Sequence, residues 1–253
     1  MALILNIETA TTVCSVSLAK DGRLISLKEQ NGDYSHAENL TLFIEDVCKQ
    51  ANVNLFQVDA IAISKGPGSY TGLRIGVSTA KGLCYSLDKP LIALDTLKYL
   101  SIAVSSRDVT VSSNEEKSSR NVTLSGVEGR NFDGRITSLF CPMLDARRME
   151  VYCAIYDSDG NVLKETAAEI IDEHSFSDVL KTNKVIFFGD GASKCKEIFS
   201  KNSNAVFIDD IVPSAKDMVT LSEKAYNEKQ FEDVAYFEPF YLKDFVAGKK
   251  KGE

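Results

Sequence analysis

Apolar and polar positions divide this chain into short strands and longer helical stripes. Ala2 to Ile7 is an apolar run broken by Asn6, Val13 to Leu18 and Arg23 to Lys28 alternate, and Asp21-Gly22 supplies a tight turn between the last two. The pattern predicts a three-stranded antiparallel meander. The period then lengthens. Ser35-His36-Ala37-Glu38 reads as a capping box, and Leu40, Phe43, Ile44, Val47 and Ala51 lie on one face of an amphipathic helix. Val58 to Ser64 is β-branched and apolar enough for a core strand, a helix is predicted over Tyr70 to Leu87 with Ser69 as its cap, and Leu91 to Ala93 is a short strand.

The second half repeats this order. Strands are predicted at Ser138 to Met143, Val151 to Tyr156, Val162 to Ala167 and Lys184 to Phe188, with a weak helix at Ser177 to Lys181. A helix over Ser193 to Ser200, a strand at Ala205 to Ile208 and a long helix over Ser214 to Glu228 follow. Between the halves, Ser105 to Thr137 has too little apolar surface to offset its ordering entropy and reads as a flexible insert or linker. The predicted organisation is an N-terminal lobe over 1–104, the Ser-rich insert over 105–137, and a C-terminal lobe with its tail over 138–253. The fold class is α/β: a duplicated RNase H-like βββαβα unit, the arrangement of the two-lobed actin-like ATPase and sugar-kinase (ASKHA) fold.

Lys65-Gly66-Pro67-Gly68-Ser69-Tyr70-Thr71-Gly72-Leu73-Arg74-Ile75-Gly76 joins the buried strand to the second helix. Gly72, Gly76 and Ala80 recur every fourth residue, so one stripe of that helix is nearly bare and another backbone can approach it. Two readings stay open: packing on the chain's own sheet, or a seam with another subunit in which Gly76→Leu leaves the monomer folded and blocks association. As a phosphate loop the stretch is poor, because it lacks the Gly-Lys-Ser/Thr ending and Pro67 removes a backbone donor.

With 253 residues and 44% hydrophobic content the chain can bury one large or two modest cores. Its net charge of -7 argues against this chain alone holding a nucleic-acid backbone. Six scattered cysteines without a C-x-x-C pair read as buried free thiols in a reducing compartment. The apolar start is a first core strand rather than a signal peptide, and no stretch approaches a membrane span, so a cytoplasmic protein is expected.

The chemistry of a working ATPase of this fold is eroded. Glu8-Thr9-Ala10-Thr11-Thr12 offers an acid and hydroxyls but no glycine, and Asp145-Ala146-Arg147-Arg148 puts cations where a glycine turn is needed. Asp145, Arg147, Arg148 and Glu150 read equally as surface ion pairs around a hairpin. Glu8, Thr9, Thr11, Gly189 and Gly191 are the candidates for residual nucleotide contact; no tightly bound cofactor is expected, only weak ATP or ADP binding. His36 and His174 do not form a helical metal pair, and no G-x-S-x-G is present, so neither a metal nor a catalytic residue is assigned.

Leu3-Ile4-Leu5-Asn6-Ile7-Glu8-Thr9-Ala10-Thr11, Ser35-His36-Ala37-Glu38-Asn39-Leu40, the glycine loop, Asp145-Ala146-Arg147-Arg148-x-Glu150-Val151-Tyr152 and Pro239-x-Tyr241-Leu242-Lys243 together resemble the TsaB (YeaZ) family. The resemblance implies a non-catalytic, cytoplasmic partner that activates the TsaD transferase in forming N6-threonylcarbamoyladenosine at position 37 of tRNAs reading codons that begin with A. It also implies a TsaE-type ATPase in the assembly, a homodimer when the partner is absent, tRNA held only indirectly through the complex, and no membrane. The implied interface residues are His36, Leu40 and Phe43 from one helix and Tyr70, Gly72, Gly76 and Thr79 from the other. Lys243 departs from the family's usual arginine, and the insert is longer than the family pattern. The alternatives are a metal-dependent, glycoprotease-like peptidase and an independent actin-like ATPase or kinase.

Overall fold

The computed structural model describes residues 2–32, 36–106 and 138–243. The insert expected over 105–137 lies, beyond Ser106, outside the described residues, as do Ser35 of the expected capping box and the tail after Lys243. The first lobe contains β1 (Leu3–Glu8), β2 (Val13–Lys20), β3 (Arg23–Asn31), α1 (His36–Gln50), β4 (Ala60–Gly66), α2 (Tyr70–Leu87), β5 (Leu91–Asp95) and α3 (Thr96–Ser105). The second contains β6 (Ser138–Asp145), β7 (Glu150–Tyr156), β8 (Val162–Ile170), α4 (Ser177–Thr182), β9 (Lys184–Phe188), α5 (Lys196–Phe199), β10 (Ala205–Phe207) and α6 (Val219–Asn227).

Each lobe is built on a five-stranded sheet, ordered β3-β2-β1-β4-β5 in the first and β10-β9-β6-β7-β8 in the second. Read from opposite ends, the two orders are the same. In both, a meander of antiparallel strands is extended by parallel strands that require a helical crossover. This is the duplicated, two-lobed actin-like arrangement.

Strand alternation decides what each face meets. Leu5 and Ile7 of β1 point to one side with Val16, Leu18, Ile61 and Ile63, where the stripe Leu40, Phe43, Ile44 and Val47 of α1 and Val77 and Ala80 of α2 cover them. Ile4, Ala60, Ala62 and Ile92 point to the other side, where they share one core with Tyr99 and Leu100 of α3 and with Phe140, Tyr156 and Phe188 of the second lobe. The lobes are therefore fused along an apolar seam. Beneath the short α4 and α5, the second sheet fills its outer face with aromatic rings: Phe187 stacks on Phe199 and Phe207, with centroids 5.4 and 5.2 Å apart.

Three expectations are corrected. Helix α3 was not anticipated, because its Asp95 cap ends an apolar strand without a loop between; the Asp95 carboxylate accepts from Lys98 N at 2.9 Å. The helix expected over Ser193 to Ser200 is a 3-10 turn followed by the single turn of α5. The long helix expected from Ser214 begins only at Val219, because Ser214 and Ala215 are bound to the first lobe: Ala215 N donates to Ser15 Oγ at 3.0 Å and Ser17 Oγ donates to Ala215 O at 2.9 Å. The residues after α6 form a strap across the first lobe. Glu232 N donates to Leu91 O on the edge of β5, Lys81 Nζ donates to Phe237 O, and Phe240 N donates to Lys65 O at 2.7 Å.

The bare stripe of α2 lies against the chain's own β1–β2 turn. A Cβ added at Gly72 would stand 2.1 Å from Thr9 O, and one at Gly76 would stand 2.2 Å from Thr9 Oγ1 and 3.0 Å from Ile63 Cδ1. The expectation that Gly76→Leu leaves the monomer folded is therefore withdrawn. Gly82 meets nothing within 4 Å. Urea unfolding should accordingly show Gly76→Ala destabilised by about 1–3 kcal/mol through overpacking. Gly82→Ala should be stabilised by about 0.5–1 kcal/mol, since only helix propensity changes there.

Candidate functional site

The turn after β1 is a heavily connected polar feature. Glu8 is fully buried and accepts hydrogen bonds from the Tyr99 hydroxyl and from Ala10 N. Thr9 N donates to Ser64 Oγ at 3.5 Å, and the Thr11 carbonyl accepts from His36 Nε2 at 2.8 Å. That contact fixes the proton of His36 on Nε2 and leaves Nδ1 buried without a partner. One turn thus touches α1, α2, β4 and α3. Burial lifts the Glu8 carboxyl to about 7 against the lowering effect of its hydrogen bonds from Tyr99, Ala10 and Ser64, and Asp217 adds a further upward push.

In the second lobe, Gly189-Asp190-Gly191 folds onto the end of β6. Cβ atoms at Gly189 and Gly191 would stand 2.2 Å from Met143 O and 2.7 Å from Leu144 C. Asp190 accepts from Asp145 N at 3.1 Å, and its burial raises its pKa. These residues do not fit a nucleotide. Glu8 and Thr11 spend their side chains on internal hydrogen bonds, Gly189 and Gly191 lie against the β6 backbone, and the Thr9 hydroxyl is buried without a hydrogen-bond partner. A cavity of about 170 Å³ between β2, β3 and the 210–217 segment is edged by Glu29, Asp210, Asp217 and Lys216, a net acidic set that disfavours phosphates.

The β6–β7 turn departs from the expected ion pairing. Asp145 pairs with Lys194 and Glu150 with Lys243, so the lysines take the acids and not Arg147 or Arg148. Both arginines are exposed, with φ of 72° and 53°. For an L-residue that region costs roughly 1–2 kcal/mol.

Of the residues assigned to a partner seam, His36, Leu40, Phe43, Gly72 and Gly76 are buried inside this chain, while Tyr70 and Thr79 are half-buried. Tyr70 packs against Tyr241 of the strap, with ring centroids 4.8 Å apart and planes tilted by 37°. The outward residues of the two helices are others: Glu38, Thr41, Leu42 and Glu45 on α1, and Thr71, Arg74, Ser78 and Tyr85 on α2. Leu42 is 55% and Tyr85 87% exposed, unusual for large apolar side chains on a helix. Helical spacing would have distinguished these faces, had the stripe been followed around the helix. Among the described residues no group of three His, Cys, Asp or Glu side chains could hold a metal ion. All six cysteines are buried and free, and burial raises Cys14 and Cys195 to about 11 and Cys84 to about 12, which leaves them poor nucleophiles.

The raised Glu8 carboxyl has a definite sign in stability. Its folded pKa lies above its unfolded one, so its contribution is fully present below about pH 4.5 and is lost as pH rises through about 7. Glu8→Gln removes that loss. Its stability relative to the parent should improve by about 3 kcal/mol between pH 4 and pH 8, read as urea midpoints at each pH. A difference that stays flat with pH contradicts a buried, titrating Glu8.

Residues 31–111 match the family described as TsaD, tRNA N6-adenosine threonylcarbamoyltransferase. Over 98% of this chain and 97% of the relative, the sequence is 28% identical to the tRNA threonylcarbamoyladenosine biosynthesis protein TsaB of Escherichia coli (strain K12). A tRNA N6-adenosine threonylcarbamoyltransferase of Staphylococcus haemolyticus is 38% identical over 36% of this chain and 31% of its own. YeaZ from Pseudomonas aeruginosa superposes with a TM-score of 0.72 at 23% identity, covering 96% of this chain and 100% of that one, and so has the same fold. No helix among the described residues is long and apolar enough to cross a membrane. The quoted motifs, the near-full-length match and the duplicated sheets converge: the chain is similar throughout its length to the TsaB (YeaZ) family.

Proposed function

We propose that this chain serves the formation of N6-threonylcarbamoyladenosine on tRNA as a non-catalytic subunit, activating a TsaD-type transferase by binding it through the outer faces of α1 and α2. The observation that carries this reading is the burial of Glu8, whose carboxylate is enclosed by Tyr99 and Ala10 at the place where an active member of this fold presents an acid to its metal and nucleotide. A chain that has closed this site supplies surface, not chemistry. Relatives named for threonylcarbamoyladenosine biosynthesis support the pathway, and the stretch matching the transferase family spans both helices.

The contact residues of the proposal are Leu42 and Tyr85, with Thr41, Arg74 and Ser78 between them. His36, Leu40, Phe43, Gly72 and Gly76 act from beneath, by seating the helices. A TsaE-type ATPase completes the assembly in the cytoplasm. A second copy of this chain competes for the same faces when the transferase is absent. The transferase carries most of the tRNA affinity, since this chain has a net charge of -7.

Threonine incorporation into unmodified tRNA by a TsaD-type transferase, a TsaE-type ATPase and the adenylate-forming enzyme should require this chain. The purified chain alone should neither hydrolyse ATP nor cleave peptides; either turnover makes it an enzyme and sinks the proposal. Leu42→Asp combined with Tyr85→Asp should weaken binding to the transferase at least tenfold, about 1.4 kcal/mol, while leaving the unfolding midpoint unchanged. Undiminished binding would move the interface elsewhere.

A further inference from the structure

The β6–β7 turn concentrates free positive charge on an acidic protein. Asp145 and Glu150, the carboxylates of the turn itself, are engaged by Lys194 and Lys243, and Lys194 also donates to Glu150 O at 2.7 Å. Arg147 and Arg148 stand between them, exposed, and among the described residues neither guanidinium has a hydrogen bond or an ion pair. The backbone would be better served by other residues. Left-handed positions in hairpins favour Gly, Asn or Asp, yet here two successive arginines occupy them, at φ 72° and 53°. The turn is nonetheless fixed: Arg147 N donates to Asp145 Oδ1 at 3.0 Å, Ala146 N to Glu150 O at 3.1 Å and Glu150 N to Arg147 O at 3.2 Å. Lys243 joins this turn to the strap.

Strain kept at an exposed site, with the neighbouring acids already neutralised, marks side chains retained for an external anion. We infer that Arg147 and Arg148 contact the phosphate backbone of tRNA directly, adding a local electrostatic hold to the affinity the partner supplies. Forked guanidinium donors on a rigid turn suit paired phosphate oxygens. The choice of RNA rests on the tRNA-modification role, but not on the transferase interface.

The test uses the full chain alone with fluorescein-labelled unmodified tRNA, followed by anisotropy from about 50 to 200 mM salt. Replacing both residues by glycine, R147G with R148G, should lower affinity at least about fivefold and flatten the salt slope by about 1.4–1.8. The same variant should melt about 2–4 °C higher, because glycine accepts the backbone without strain. Lost binding then cannot be lost folding. R147K with R148K should keep most of the affinity, and Lys201→Ala, exposed elsewhere on the same lobe, should keep all of it. The inference is overturned if the parent does not bind tRNA, if the double-glycine variant binds as well as the parent, or if its melting temperature fails to rise. Displacement of the tRNA by micromolar ADP would reassign the arginines to a free nucleotide and equally overturn it. None of these outcomes depends on the transferase, so they leave the subunit reading to its own experiment.

Discussion

The first lobe depends on one close approach, that of the Thr9–Ala10 backbone to Gly68 of the loop before α2 and to the helix face bearing Gly72 and Gly76. Because no Cβ intervenes, the turn after β1 sinks between sheet and helix, and Glu8 goes with it into a fully enclosed position. The consequence is chemical as well as steric. A carboxylate that ends a β1 strand in this fold would ordinarily face a cleft; here Tyr99 crosses from α3 and closes it off. Burial of an ionisable group is costly, so its three hydrogen-bond donors restrain a penalty rather than create stability.

Fusion of the lobes follows from the same arrangement. With Tyr99 drawn in against Glu8, α3 brings Leu100 and Val104 to Phe140 and Phe188, and the two sheets share one apolar core. Ser15 and Ser17 then meet the segment that precedes α6. Hinged opening around a ligand, on which active members of such folds rely, would here expose that core to water.

Most of the fold was legible because its strands and helices keep clean periods. The limits of α2, from Tyr70 to Leu87, follow from Ser69 and the glycine loop, and the three-strand meander follows from Asp21-Gly22. What was not legible depended on contacts distant in sequence. Helix α3 abuts β5 with no break, and the start of α6 is delayed because Ala215 is held by serines two hundred positions earlier. The glycine stripe announced a close neighbour but could not say which. Only the structure identifies Thr9, and with it the reason that the buried faces of α1 and α2 are distinct from the faces a partner can reach. The lysine partners of Asp145 and Glu150 were equally hidden, since they come from 49 and 93 residues downstream.

The strap after α6 gives the chain an order of completion. Leu91, Lys81 and Lys65 belong to the first lobe, yet their contacts are Glu232, Phe237 and Phe240, which leave the ribosome well after that lobe. During synthesis the first sheet must therefore wait with the edge of β5 uncovered, an invitation to pairing with other chains. The N-terminal lobe cannot be finished by its own sequence. A message cut short before the strap yields a protein with nearly all its secondary structure and an open sheet edge, the species that chaperones and proteases are equipped to find.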